Sequence, residues 1–179
     1  SNYIFNNINF TKLYCNYISN LKDKIKILSN HVINQIAAGE VIQRPSSVAK
    51  ELLENSIDAK SKNIHLIIRN SGKNLIKVID DGFGMNSKDA KLCFEKHATS
   101  KIQNIDDIGN ILTMGFRGEA LASIASVSEV EMKTKKSNES VGTQVLIENS
   151  KINKITETAC NNGTSIAVKN LFFNIPARK

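Results

Sequence analysis

Apolar positions follow two periods along this chain, and each change of period marks an element. Over 46–59, Val48, Ala49, Leu52, Leu53 and Ile57 recur at helical spacing and predict a helix with one apolar stripe. Arg44-Pro45-Ser46-Ser47 ahead of it carries helix-start chemistry, with a proline for the first turn and hydroxyls for the cap. Shorter helical patterns cover 34–41, 87–97 and 119–127, and 25–28 is a short apolar segment. Runs at 64–69, 75–79, 128–133, 143–147 and 164–168 predict strands. Asn70-Ser71-Gly72-Lys73-Asn74, between the first two strands, reads as a hairpin turn. Helices and strands alternate with at least one hairpin, so the pattern predicts an α+β or two-layer α/β domain. Residues 98–118 hold turn residues without a period, and so long an unpatterned stretch in a compact domain reads as a lid or binding loop.

Composition narrows the picture. The chain has 179 residues, of which 41% are hydrophobic and 23% charged, enough apolar content for one domain with its own core. No run approaches the roughly 18 apolar residues of a membrane span, and no coiled-coil, collagen or disordered signature is present. Lysine and arginine total 24 against 17 acids, a net charge of +7. Arginine occurs only at Arg44, Arg69, Arg117 and Arg178, so lysine carries the charge. That is compatible with loose contact to phosphate backbones, and equally with a general Asn, Ile and Lys bias. Cys15, Cys93 and Cys160 are odd in number, far apart and form no C-x-x-C pair, which points to free thiols in a reducing compartment. Cys93, among apolar neighbours, reads as a core thiol. His31, His65 and His97 show no metal-ligand spacing. Residues 1–24 are rich in Asn and aromatics, with Asp23 as their sole acid and no long apolar stretch. They read as a terminal extension, or as the remnant of an acid-poor organellar leader.

Four constellations carry candidate chemistry. On the helix at 46–59, Glu51, Asn55 and Asp58 fall at i, i+4 and i+7 and share a face. This is either a solvated face or a base beside a cation ligand, and Asn55, a poor helix former in mid-helix, argues for the second. Asp80-Asp81-Gly82-Phe83-Gly84 follows an apolar strand, where glycines let backbone approach a ligand and an aspartate can accept from an exocyclic amine. Gly115-Phe116-Arg117-Gly118-Glu119-Ala120-Leu121 places glycines before a helix, offering backbone N–H groups to phosphate. Asn162-Gly163-Thr164 opens the last strand. Neither a Walker A loop nor G-x-G-x-x-G occurs.

Taken in order and spacing, the four resemble the signature of the GHKL ATPases: gyrase B, the heat-shock chaperone ATPase, histidine kinases and MutL. Within that group, Gln35-Ile36-Ala37-Ala38-Gly39-Glu40-Val41, Lys50-Glu51-Leu52, His97-Ala98-Thr99-Ser100-Lys101 and the string 115–121 look like MutL, the DNA mismatch-repair ATPase. Asn174-Ile175-Pro176-Ala177-Arg178 resembles that family's junction to its next domain. The resemblance implies a Bergerat-type two-layer α+β sandwich, a mixed β-sheet with helices on one face, over 25–179, with 1–24 as an extension. It implies Glu51 as the general base for hydrolysis of Mg·ATP and Asn55 as the Mg²⁺ ligand. Asp58 would support the nucleotide, Asp80 would contact the adenine amine, and Thr164 would assist there. Gly82 and Gly84 would shape the pocket floor. Thr99, Ser100 and Lys101 would start a lid ended by Gly115, Phe116, Arg117, Gly118 and Glu119. Position 81 departs from the family, with Asp where Asn is usual. The implied partners are ATP or ADP with Mg²⁺, a second copy or another MutL homologue as dimer partner, a MutS-type mismatch-recognition protein and non-specific DNA, with no membrane. The implied location is the nucleus in a eukaryote, an organelle as the alternative, or the cytoplasm in a bacterium. The alternative function is a nucleotide-gated dimerisation module with incidental turnover.

Overall fold

The computed structural model describes residues 26–99, 114 and 118–175. The chain divides into two units, Ser1–Asn30 and His31–Lys179, and the whole sheet belongs to the second. The elements are α1 (Asn30–Val41), α2 (Pro45–Asp58), β1 (Ile64–Arg69), β2 (Leu75–Asp80), α3 (Ser87–Leu92), α4 (Ala120–Ser126), β3 (Glu129–Lys135), β4 (Gly142–Glu148), β5 (Lys151–Thr158) and β6 (Gly163–Lys169). The strands form a six-stranded sheet in the order β1-β2-β6-β3-β4-β5.

Two-layer α+β architecture is as the sequence implies, but the sheet is antiparallel at every described pairing rather than mixed. The reason is topological. The helical crossover from β2 to β3 leaves those two strands running in the same direction, as a mixed sheet would have them. The last strand, β6, then inserts between them and pairs antiparallel with both. The other neighbours are joined by tight turns, which permit only antiparallel pairing.

Alternation along the strands sends one set of side chains to the helices. Ile76, Val168, Val130 and Ile147 form one row across the sheet, and Val78, Ile166, Met132 and Val145 the next. All are buried, and they share one core with Val48 and Leu52 of α2, Ala90 of α3 and Ile124 of α4. The other sheet face carries Lys77, Lys133, Lys169 and Glu131. There the Glu131 carboxylate accepts from Lys169 Nζ at 2.8 Å and Gln144 Nε2 at 2.9 Å. The bond from Lys169 holds Glu131 below the usual carboxylate range.

Local departures have local causes. The helix expected over 87–97 stops at Leu92. His97 takes a left-handed φ of 64° and gives its N–H to Gly118, so the chain must leave helical geometry before it. Ile57, assigned to the apolar stripe of α2, is instead exposed. The turn after β1 is a short 3₁₀ piece (Asn70–Gly72) with positive φ at all three residues. β5 lies at the sheet edge with its first four residues exposed, and its polar sequence gave no strand signal. The Cys93 thiol packs against the core, and burial pushes it up to about 12.

Candidate functional site

The core face of the sheet turns polar in its third row. Beyond the two apolar rows, register aligns Asp80, Thr164, Thr134 and Thr143. The site is built on this row, at the C-terminal end of β2 and under the C-terminal half of α2.

Asp80 is held from three directions. Its Oδ1 accepts from the N–H groups of Gly82 at 2.9 Å and Thr164 at 3.3 Å. Its Oδ2 lies 3.0 Å from Ser56 Oγ, whose single proton is shared with the Leu52 carbonyl at 3.1 Å. Thr164 is thus tied to Asp80 by its backbone and to Thr134 by its hydroxyl, at 3.0 Å. Asp81, next along the chain, points the other way. Its carboxylate accepts from Lys62 N–H at 2.7 Å, Asn63 N–H at 2.9 Å and Asn63 Nδ2 at 2.8 Å. Those bonds, led by the ones from Asn63, hold it down at about 2. The second aspartate therefore staples the 62–63 turn, with its charge directed away from Asp80.

The loop after Asp80 has room for no side chain at two positions, Gly82 and Gly84. A Cβ on Gly82 would stand 2.7 Å from the Ala59 Cβ and carbonyl oxygen. Gly84 has a φ of 63°, and a Cβ there would strike the Lys135 backbone. The loop thereby lies flat against the end of α2 on one side and β3 on the other.

On α2, Glu51, Asn55 and Asp58 are half-buried. At about 100° per residue they sit some 100° around the helix from the buried line of Val48, Leu52 and Ser56. They form a half-buried rim along one flank of the buried line, rather than an exposed face opposite it. Asp58 Oδ1 accepts from Met114 N–H at 3.0 Å. Lys50 pairs outward with Glu54 at 2.8 Å, a hydrogen bond that raises the lysine above its usual range.

The two bases of the implied lid meet. His97 N–H donates to the Gly118 carbonyl at 3.1 Å, and His97 Nδ1 lies 3.4 Å from Glu119 Oε1. Gly118 has a φ of 63°, and a Cβ there would fall 2.5 Å from the Ala98 carbonyl oxygen. Thr99 is half-buried at the first base. Ser100, Lys101, Gly115, Phe116 and Arg117 lie outside the described residues, as do residues 1–24 and 176–179.

Two residues of the site went unread in the sequence. Ser56 and Thr134 are buried, at 3% and 0% exposure. Their signal was present: each is a polar residue at a core-facing step of an apolar pattern, Ser56 four after Leu52 and Thr134 two after Met132.

Comparison with known proteins places this geometry. Residues 43–171 match the family described as "Histidine kinase-, DNA gyrase B-, and HSP90-like ATPase". The chain is 55% identical over 159 residues to the DNA mismatch repair protein MutL of Bacteroides fragilis, covering 89% of this chain and 25% of that protein. It is 59% identical over 155 residues to the MutL of Flavobacterium psychrophilum, covering 87% and 25%. It therefore spans about a quarter of the length of these relatives. Among solved structures it resembles the Aquifex aeolicus MutL ATPase domain complexed with ADP, at 31% identity and a TM-score of 0.57, over 77% of this chain and 47% of that one.

Proposed function

This chain belongs to the histidine kinase-, DNA gyrase B- and HSP90-like ATPase family, and from that premise we propose that it binds and hydrolyses Mg·ATP as the ATPase domain of a MutL-type mismatch-repair protein. The observation that carries the reading is the state of Asp80. A carboxylate has about four acceptor positions. Donors among the described residues take two on Oδ1 and one on Oδ2, leaving Oδ2 an open lone pair in a fixed direction. A fixed acceptor, half-buried on a polar row, suits the exocyclic amine of adenine.

The rim of α2 supplies the other half. Glu51 is a carboxylate one helical turn before Asn55, placed to orient a water for attack on the γ-phosphate and to take its proton. Asn55 and Asp58 offer hard oxygen donors, the type that suits Mg²⁺, and Asn55 is the proposed ligand. When bound, Mg²⁺ neutralises phosphate charge. Gly118 and Glu119, at the second base of the 100–117 segment, complete the phosphate side.

At the level of the whole protein, we propose dimerisation with a second copy or a sister homologue, driven by nucleotide, together with a mismatch-recognition partner and non-specific DNA. The MutL relatives support that assignment.

The test is calorimetric titration with Mg²⁺ and a non-hydrolysable ATP analogue, beside turnover assays. Asp80→Asn is expected to weaken binding at least tenfold. Glu51→Ala is expected to bind like the parent and lose hydrolysis. Loss of binding and turnover together in Glu51→Ala would overturn the role given to Glu51, and a folded parent that does not bind would overturn the reading as a whole.

A further inference from the structure

We propose that Thr134 is a positioning residue for nucleobase selection: it fixes the direction of the Thr164 hydroxyl, so that Thr164 and Asp80 present acceptors only. The inference deepens the ATP reading above and rests on it.

The argument is a proton inventory. Thr134 Oγ1 is fully buried and has three neighbours at hydrogen-bond distance. They are the Met85 N–H at 2.9 Å, the Gly163 carbonyl at 3.0 Å and Thr164 Oγ1 at 3.0 Å. A hydroxyl has one proton and two lone pairs. The carbonyl can only accept, so the Thr134 proton goes to Gly163. The Met85 N–H can only donate, so it takes one lone pair. The remaining lone pair faces Thr164, and the contact is made only if Thr164 donates. In this arrangement every proton is used once and the buried oxygen is fully satisfied, as a group at 0% exposure requires.

The consequence falls on Thr164. Its proton is committed inward, so its half-buried oxygen has lone pairs alone to offer a ligand. Asp80, hydrogen-bonded to the Thr164 backbone, is likewise an acceptor. Two adjacent acceptors match a heterocycle edge bearing an amine, which supplies two N–H donors. They reject an edge where a carbonyl oxygen replaces that amine, because two acceptors then face each other with no proton between them. Selection of an amino over an oxo purine is thus set partly by a residue on the strand next to the one that touches the base.

The experiment compares affinities for the Mg²⁺ complexes of two non-hydrolysable triphosphates, of adenosine and of inosine. The proteins are the parent, Thr134→Ser, Thr134→Val and Thr164→Val, each checked for fold by circular dichroism. The parent is expected to prefer the adenosine compound, and Thr134→Ser to keep that preference, since the hydroxyl is retained. Thr134→Val frees the Thr164 proton to meet a carbonyl, and the preference should fall about tenfold, the worth of roughly one hydrogen bond. Thr164→Val gives a sign that does not depend on whether Thr134→Val folds. Removing an acceptor lowers the preference, whereas removing a donor would raise it. An unchanged ratio in a folded Thr134→Val, or a raised ratio in Thr164→Val, overturns the proposal while leaving the ATP reading intact. A folded parent that binds neither compound overturns both.

Discussion

Asp80 and Asp81 are adjacent in sequence and chemically alike, yet they serve different ends because they leave the last turn of a strand in opposite directions. Asp80 faces the helices, and its bonds aim a lone pair. Asp81 faces out, and its bonds hold the 62–63 turn. The second role is testable by pH. Its carboxyl is depressed from 3.8 to about 2, so its stabilising bonds are present above the ordinary value and are lost as pH falls through the folded one. The thermal midpoint should drop as pH is taken from about 4 to about 2, and Asp81→Asn should flatten that drop; a parallel fall in both proteins would remove Asp81 as its source. Legibility at this scale was uneven. Glu51, Asn55, Asp80 and Thr164 could be named from a resemblance in motif order. Ser56 and Thr134 could not, because short motifs record the groups proposed to meet a ligand and pass over those that aim them. Their polarity on an apolar step was the readable trace.

Among the elements, α2 shows how a core and a site can share one helix. The buried line runs Val48, Leu52, Ser56, apolar at first and hydroxylated where it reaches Asp80. The next line around the helix carries Glu51, Asn55 and Asp58. The helix register is therefore fixed by burial, and the site inherits its positions from that register. Leu52 is 1% exposed at the middle of the line. Leu52→Ala should cost about 2–5 kcal/mol, read as a lowered denaturation midpoint. It should also weaken nucleotide binding without touching any polar group of the site. A loss of stability with binding unchanged would show that the rim is held independently of the core. Most elements were legible because their periodicity is enforced by one buried face. β5 was not, since an edge strand with exposed, polar positions lacks the alternation that burial imposes. The pattern over 93–97 was misread for a different reason: His97 gives its N–H to the Gly118 carbonyl, about twenty residues further along the chain and beyond the reach of a local pattern.

For the molecule as a whole, two-layer architecture followed from the mixture of periods and strand direction did not. Parallel or antiparallel pairing depends on which strands become neighbours, and the placement of β6 between β2 and β3 leaves no mark in either strand's own sequence. Net charge acts at this scale too. With +7 on the chain and several lysines on the sheet face away from the helices, the proposed contact with DNA predicts an affinity that falls steeply with salt. A filter-binding series from about 50 to 200 mM salt checks it, and an affinity indifferent to salt would count against a backbone contact.

The position of β6 bears on how such a chain is made. Synthesis runs from the N-terminus, so the β1–β2 hairpin and the β3–β4–β5 meander emerge first and can each form locally. Neither can bury its inner edge, because the strand that lies between them is translated after both. Until residue 169 has cleared the ribosome, two half-sheets expose unpaired edge backbone and the apolar rows of a divided core. Asp80 meanwhile lacks the Thr164 N–H that helps to aim it. The nascent protein thus has an aggregation-prone interval before that strand arrives, and the arrival of the strand lets the core close and the polar row be completed together.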